Sequence, residues 1–154
     1  MKNLMLVVAF LMFLNITASA QKVSASKVPA SVLTAFKTKF PTVSKVEWEI
    51  ENTKEYEAGF KMNGVETSAN FDESGKWLET ETEIKISELP SAVQESLKNE
   101  FVGYKINEAS KLMLVDKGNC YEAEVEKGED TFDILFSPDG KVISKTKTEE
   151  EKKD

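Results

Sequence analysis

Two stretches of this sequence follow one plan, a proline-led amphipathic helix and then runs in which apolar and polar residues alternate. In VPASVLTAFKTKFP, residues 28 to 41, Val32, Leu33, Phe36 and Phe40 fall on one helical face, Pro29 suits a first turn and Pro41 stops the run. In LPSAVQESLKNEFVG, Leu89, Val93, Leu97 and Phe101 recur every four residues, Pro90 stands at the start and Gly103 closes the helix.

After each helix the period drops from about 3.6 to 2, the signature of half-buried strands. Val46, Trp48 and Ile50 are assigned to the inward face, followed by Tyr56, Ala58, Phe60 and Met62, with Asn63-Gly64 as a two-residue hairpin turn. Val65, Thr67, Ala69 and Phe71 then point inward, and so do Leu78, Thr80, Thr82 and Ile84, giving one helix and a four-strand meander. The second half predicts strands over Ile106 to Val115, Cys120 to Glu126, Thr131 to Phe136 and Val142 to Lys147.

Pro29 matches Pro90 and Phe40 matches Phe101 at a spacing of 61, whereas Tyr56 matches Tyr121, Phe71 matches Phe136 and Gly75 matches Gly140 at 65. An insertion of four residues near Val115 to Asn119 accounts for the change, and the pattern reads as an internal duplication. The two copies also decide how FDESGKW, residues 71 to 77, is read. Its counterpart FSPDGKV keeps the glycine but not the acidic positions, as a turn requires and a calcium loop does not.

Residues 1–20 carry Lys2, the apolar run LMLVVAFLMFL and Ala18-Ser19-Ala20, which predicts an export signal cleaved before Gln21 and a periplasmic or secreted product. No later apolar run is long enough to span a bilayer, so membrane insertion is not expected. Cys120 is alone and cannot form an internal disulfide; packing, an idle thiol or an intermolecular bridge remain open for it. The mixed-charge tail TEEEKKD, residues 148 to 154, is assigned no function. The intervening residues 21–147 are expected to form a single domain of two repeats, about 26–84 and about 87–147.

Net charge is −7, or −8 once Lys2 is removed, so phosphate backbones and anionic lipid are repelled and nucleic acid is not an expected partner. The chain has no histidine and all its basic residues are lysine, which removes the usual neutral-pH general base and the planar arginine fork. No nucleophile, P-loop or dinucleotide motif is present, and zinc would have only Cys120 and carboxylates to bind it. The expectation is therefore a protein that is not an enzyme, with no metal or cofactor.

The strand register assigns Glu47, Glu49, Glu55, Glu57, Glu66, Glu79, Glu81 and Glu83 to the outward face, with Trp77 sharing it. In the second half Leu135 and Val142 fall there, Cys120 is in phase with Glu122, Glu124 and Glu126, and Leu112 and Leu114 are candidates to join them. Apolar groups rimmed by charge mark an interaction surface, so Trp77, Leu135, Val142, Glu79 and Glu81 are the candidate partner-binding residues. Trp48, Tyr56 and Tyr121 are read as core.

The order of VP, an apolar-patterned helix, FP, VEWE, a tyrosine-containing strand and FDESGKWLETE, then LP and a second round ending in FSPDGK, resembles the PepSY-like, beta-lactamase-inhibitor-like family of small exported bacterial proteins. The resemblance implies an α+β fold: tandem helix-plus-antiparallel-meander repeats forming one antiparallel sheet with both helices on one face. It further implies a non-catalytic scaffold that presents its sheet face to a protein, the glutamates favouring a basic partner. Unlike the inhibitor that gives the family its name, the chain lacks a pair of disulfide-forming cysteines in each repeat. The alternatives are a small-ligand or cation-binding envelope protein and self-association through the same face or Cys120.

Overall fold

The computed structural model describes residues 21–52 and 54–148. The expected export segment and the predicted tail beyond Thr148 lie outside the described residues. The elements run β1 (Gln21–Val23), α1 (Ala30–Lys39), β2 (Glu47–Asn52), β3 (Glu55–Met62), β4 (Val65–Asp72), β5 (Trp77–Ile84), α2 (Ser91–Glu100), β6 (Lys105–Leu114), β7 (Gly118–Lys127), β8 (Asp130–Phe136) and β9 (Val142–Thr148). The fold is α+β, with all nine strands in one sheet, in chain order, each antiparallel to the next.

Alternation did not predict β1, whose three residues pair with β2 through Val23 opposite Trp48. Thr148, expected to begin the tail, instead belongs to β9 and pairs with Thr131.

Each helix starts directly after its proline and ends where an aromatic N–H still reaches back, Phe40 to the Phe36 carbonyl at 2.8 Å and Phe101 to the Leu97 carbonyl at 3.1 Å. Val32 and Phe36 of α1 are buried with Trp48, Ala58, Phe60, Ala69 and Phe71. Phe36 lies at the centre of this group, its ring 5.2 Å from Phe60 and 5.3 Å from Trp48 in edge-on contact. Val93 and Leu97 of α2 are buried with Ala109, Ala123, Val125, Ile134 and Phe136. Beneath the helices lie the cross-strand alanine pairs Ala58–Ala69 and Ala109–Ala123, whose small side chains let a helix approach while the larger neighbours interdigitate. Each large apolar side chain buried in this way contributes about 1.5–3 kcal/mol. Tyr56 and Tyr121 pack against these clusters, as expected.

Asn63 and Gly64 form the predicted turn with φ of 55° and 84°, pairing Met62 with Val65; both of those side chains, assigned inward, are exposed at the hairpin tip. The FDESGKW and FSPDGKV stretches are also turns. Asp72 Oδ1 accepts the backbone N–H groups of Ser74 and Lys76 at 2.9 and 3.0 Å, so this carboxylate organises the loop. The glycines answer two demands, because φ is 87° at Gly75 and 83° at Gly140 and each passes against the start of a helix. A Cβ on Gly75 would lie 2.6 Å from the Ser31 carbonyl oxygen, and one on Gly140 closer still to that of Ala92. Ser31 Oγ donates to the Glu73 carbonyl at 2.9 Å and Ser96 Oγ to the Gly140 carbonyl at 2.6 Å, tying each turn to its helix.

Strict alternation fails immediately after both turns. Asn70 pairs with Glu79 but Phe71 pairs with Trp77, leaving Leu78 as an extra residue in β5. Likewise Leu135 pairs with Ser144 but Phe136 with Val142, leaving Ile143 extra in β9. Such a bulge reverses the phase of what precedes it. Directly opposed residues share a face, so Trp77 lies with buried Phe71 and Val142 with buried Phe136. The assignment of Trp77 and Val142 to the outward face is thereby corrected, as is that of Leu78 to the inward phase.

Candidate functional site

The residues that alternate with the clustered ones form a second face, connected by cross-strand pairing. One row runs Glu57–Asn70–Glu79–Leu114–Gly118, the next Gly59–Ser68–Glu81–Leu112–Cys120, and a third Glu83–Ser110–Glu122–Leu135–Ser144. Strands β6 and β7 run to 10 residues each, against 6 and 8 in β2 and β3, and carry Leu112, Leu114 and Cys120 alongside Glu79 and Glu81.

The centre of the face is not an ordinary solvated sheet surface. Leu112 is 5% exposed, Cys120 1% and Asn70 6%, yet none belongs to either helix-associated cluster. The carboxylates among them are half-buried and lose hydration. Burial, with Glu81, Glu55 and Glu57 nearby, raises the Glu79 carboxyl to about 7. Burial, with Glu81 and Asp133 nearby, raises Glu122 to about 8. Glu81 and Asp133 are also raised, mainly by burial, offset by hydrogen bonds from Ser110 and Thr148 respectively. Burial pushes the Cys120 thiol up, so it is a poor nucleophile and an unsuitable intermolecular bridge without local opening.

Among the described residues, the ion pairs on this face lie at its margin. Lys22 meets Glu47 at 3.0 Å, Lys61 meets Glu66 at 2.6 Å and Lys105 meets Glu126 at 3.9 Å. Asn107, displaced at a bulge in β6, donates its amide to Glu124 at 3.0 Å and Glu126 at 3.1 Å.

The structure therefore brings together Glu79, Glu81 and Leu135 of the predicted residues and separates Trp77 and Val142 from them. Trp77 packs against the α1 cluster, donates its indole N–H to Thr80 Oγ1 at 2.9 Å and lies 3.9 Å beneath the Lys39 ammonium. Leu112 and Leu114 join the face, as the phase suggested. Glu122, in phase with Cys120 but not among the candidate residues, is a central half-buried group; the unpaired Cys120 two residues earlier was the available signal. Among the described residues, no group of three or more carboxylate or thiol side chains is placed to hold a metal ion. Two hollows lie elsewhere, one against Leu97, Phe101, Val102 and Tyr104 after α2 and one along Leu33 and Lys37 of α1. No helix among the described residues is long and apolar enough to cross a membrane.

No curated protein matches the chain. Solved structures with the same architecture include one described as "putative periplasmic proteins" from Bacteroides eggerthii, 26% identical, covering 78% of this chain and 88% of that one with a TM-score of 0.70. A DUF2874 family protein from Bacteroides uniformis is 28% identical over 77% of this chain and 88% of its own, with a TM-score of 0.70. A BLIP-like protein from Bacteroides fragilis, at 24% identity, covers 82% and 91% with a TM-score of 0.69 and shares the fold. Residues 14–66 and 54–144 both match one family model, described as "Putative beta-lactamase-inhibitor-like, PepSY-like". With those stretches matched across most of its length, the chain belongs to the PepSY-like, beta-lactamase-inhibitor-like family.

Proposed function

We propose that the chain is an exported, non-catalytic module that holds a protein partner against the face of its sheet centred on Glu79, Glu81 and Leu135, with Leu112, Leu114 and Glu122 beside them. The reading takes the chain as two copies of one helix-and-meander unit with both helices on the opposite side. Register supports this. Ala69 pairs with Thr80, and Ile84, in phase with Thr80, pairs with Ala109, which links the sides carrying the two apolar clusters. The same turn and bulge recur 65 residues apart, at Gly75 and Leu78 and at Gly140 and Ile143.

The observation that carries the reading is the composition of this face, where leucines and half-buried carboxylates form the centre and the paired lysines stand at the margin. Apolar contact there anchors a partner, and uncompensated negative charge selects a basic one and speeds encounter. A periplasmic description of a structural relative supports export, and the inhibitor-like family supports binding over catalysis.

Capture from envelope extract tests the assignment. A protein retained by the wild type and by a Trp77→Phe control, and lost by folded Leu135→Lys and Glu81→Lys variants, is the expected result. Equal retention by all four proteins would remove this face from the mechanism.

A further inference from the structure

The central carboxylates of the face answer to surroundings contributed by seven strands. Glu79 pairs with Asn70 of β4 and Leu114 of β6; Glu55 and Glu57 lie beyond on β3, and Asp116 lies in the turn after β6. Glu122 pairs with Ser110 of β6 and Leu135 of β8, with Glu81 of β5, Asp133 of β8 and Glu124 of its own strand acting on it. Glu108 of β6 adds to the field at Glu81, and the residues of β9 on this face, Ser144 and Thr146, are uncharged. The nearest lysine of the turn, Lys117, is committed to Asp116 at 2.8 Å. The residues directly paired with Glu79, Glu81 and Glu122 are uncharged, no lysine stands among them, and the charge felt by each half-buried carboxyl comes from carboxylates on neighbouring strands.

We propose that this face is a proton-coupled docking surface, on which the lysine side chains of a basic partner settle among Glu79, Glu81 and Glu122 and displace protons from the cluster. The proposal rests on the docking function proposed above. In the free protein Glu79 and Glu122 hold protons up to about 7 and about 8, because full ionisation would crowd several half-buried charges together. An ammonium group arriving among them supplies the missing positive charge, favours ionisation and expels a proton to solvent. Binding is thus strong above neutrality and weakens on acidification. Partner release by a falling pH follows without any change of backbone.

Calorimetric titration of the protein with a pentalysine peptide at low salt provides the test, run at about pH 6 and about pH 8.5 in phosphate and in Tris. Affinity is expected to rise with pH, by up to about tenfold per unit for each proton released, and the heats are expected to differ between the two buffers. Glu79→Gln and Glu122→Gln should flatten the pH dependence, whereas Glu47→Gln at the margin should keep it. Binding of equal strength at both pH values overturns the coupling and leaves the docking reading standing. A dependence equally lost in the marginal variant also overturns it, by assigning the effect to diffuse charge. Absence of binding at either pH, in protein that melts cooperatively, overturns the docking of a basic partner and the coupling with it.

Discussion

Gly75 and Gly140 each leave a strand at positive φ and pass against the first turn of a helix, so they are held by conformation and by space together. Replacing Gly140 by alanine should destabilise the fold by about 2 kcal/mol or more, read from denaturant melts, since neither the backbone angle nor the Ala92 carbonyl has room for a Cβ. A different outcome is expected where the side chain itself matters. Trp77→Lys should lower stability by about 2 kcal/mol, through lost packing on the α1 cluster and the Thr80 bond, and any fall in partner binding should follow from unfolding. Cys120 should resist thiol reagents in the native protein and react once denaturant is added; rapid native labelling would contradict its burial. At this scale the sequence made Gly75 and Gly140 legible as turn residues, because a residue that tolerates positive φ is needed there, but not their contact with the helices, which joins positions more than 40 residues apart.

The two helices and eight of the nine strands follow from periodicity, each within a few residues, because apolar stripes at 3.6 and at 2 each dictate one way to bury themselves. What periodicity could not supply was the phase after each turn. Counting back from Thr80 places Leu78 inward and Trp77 outward, and one bulged residue reverses both. The adjacent apolar pairs Trp77-Leu78 and Val142-Ile143, each two residues after a turn glycine, were the trace of it. Strand β1 escaped notice because three residues carry too little pattern, and its hold on the sheet is correspondingly slight. Amide exchange at Gln21–Val23 should be fastest among the strands and slowest where β6 and β7 pair; equal protection would show that β1 opens only with the whole sheet.

For the molecule as a whole, the candidate face ties function to ionisation. Glu79 and Glu122 keep protons in the folded state up to about 7 and about 8, whereas the unfolded chain loses them near the ordinary glutamate value of 4.5. Unfolding therefore releases protons between these values, and their contribution to stability, fully present below about 4.5, is lost as pH rises through 7 and 8. Urea melts should give lower stability at pH 8 than at pH 5, and Glu122→Gln should narrow the difference; stability increasing across that range would contradict the burial of these carboxyls. The half-burial of this face was not legible in the sequence because the face is assembled from strands spread over most of the chain. Carboxyl footprinting of the captured complex tests the central claim most directly, comparing labelling of each glutamate with and without partner. The account predicts protection of Glu79, Glu81 and Glu122 while the exposed Glu95 and Glu100 of α2 remain labelled. Protection of the α2 glutamates with the sheet face left open would contradict it.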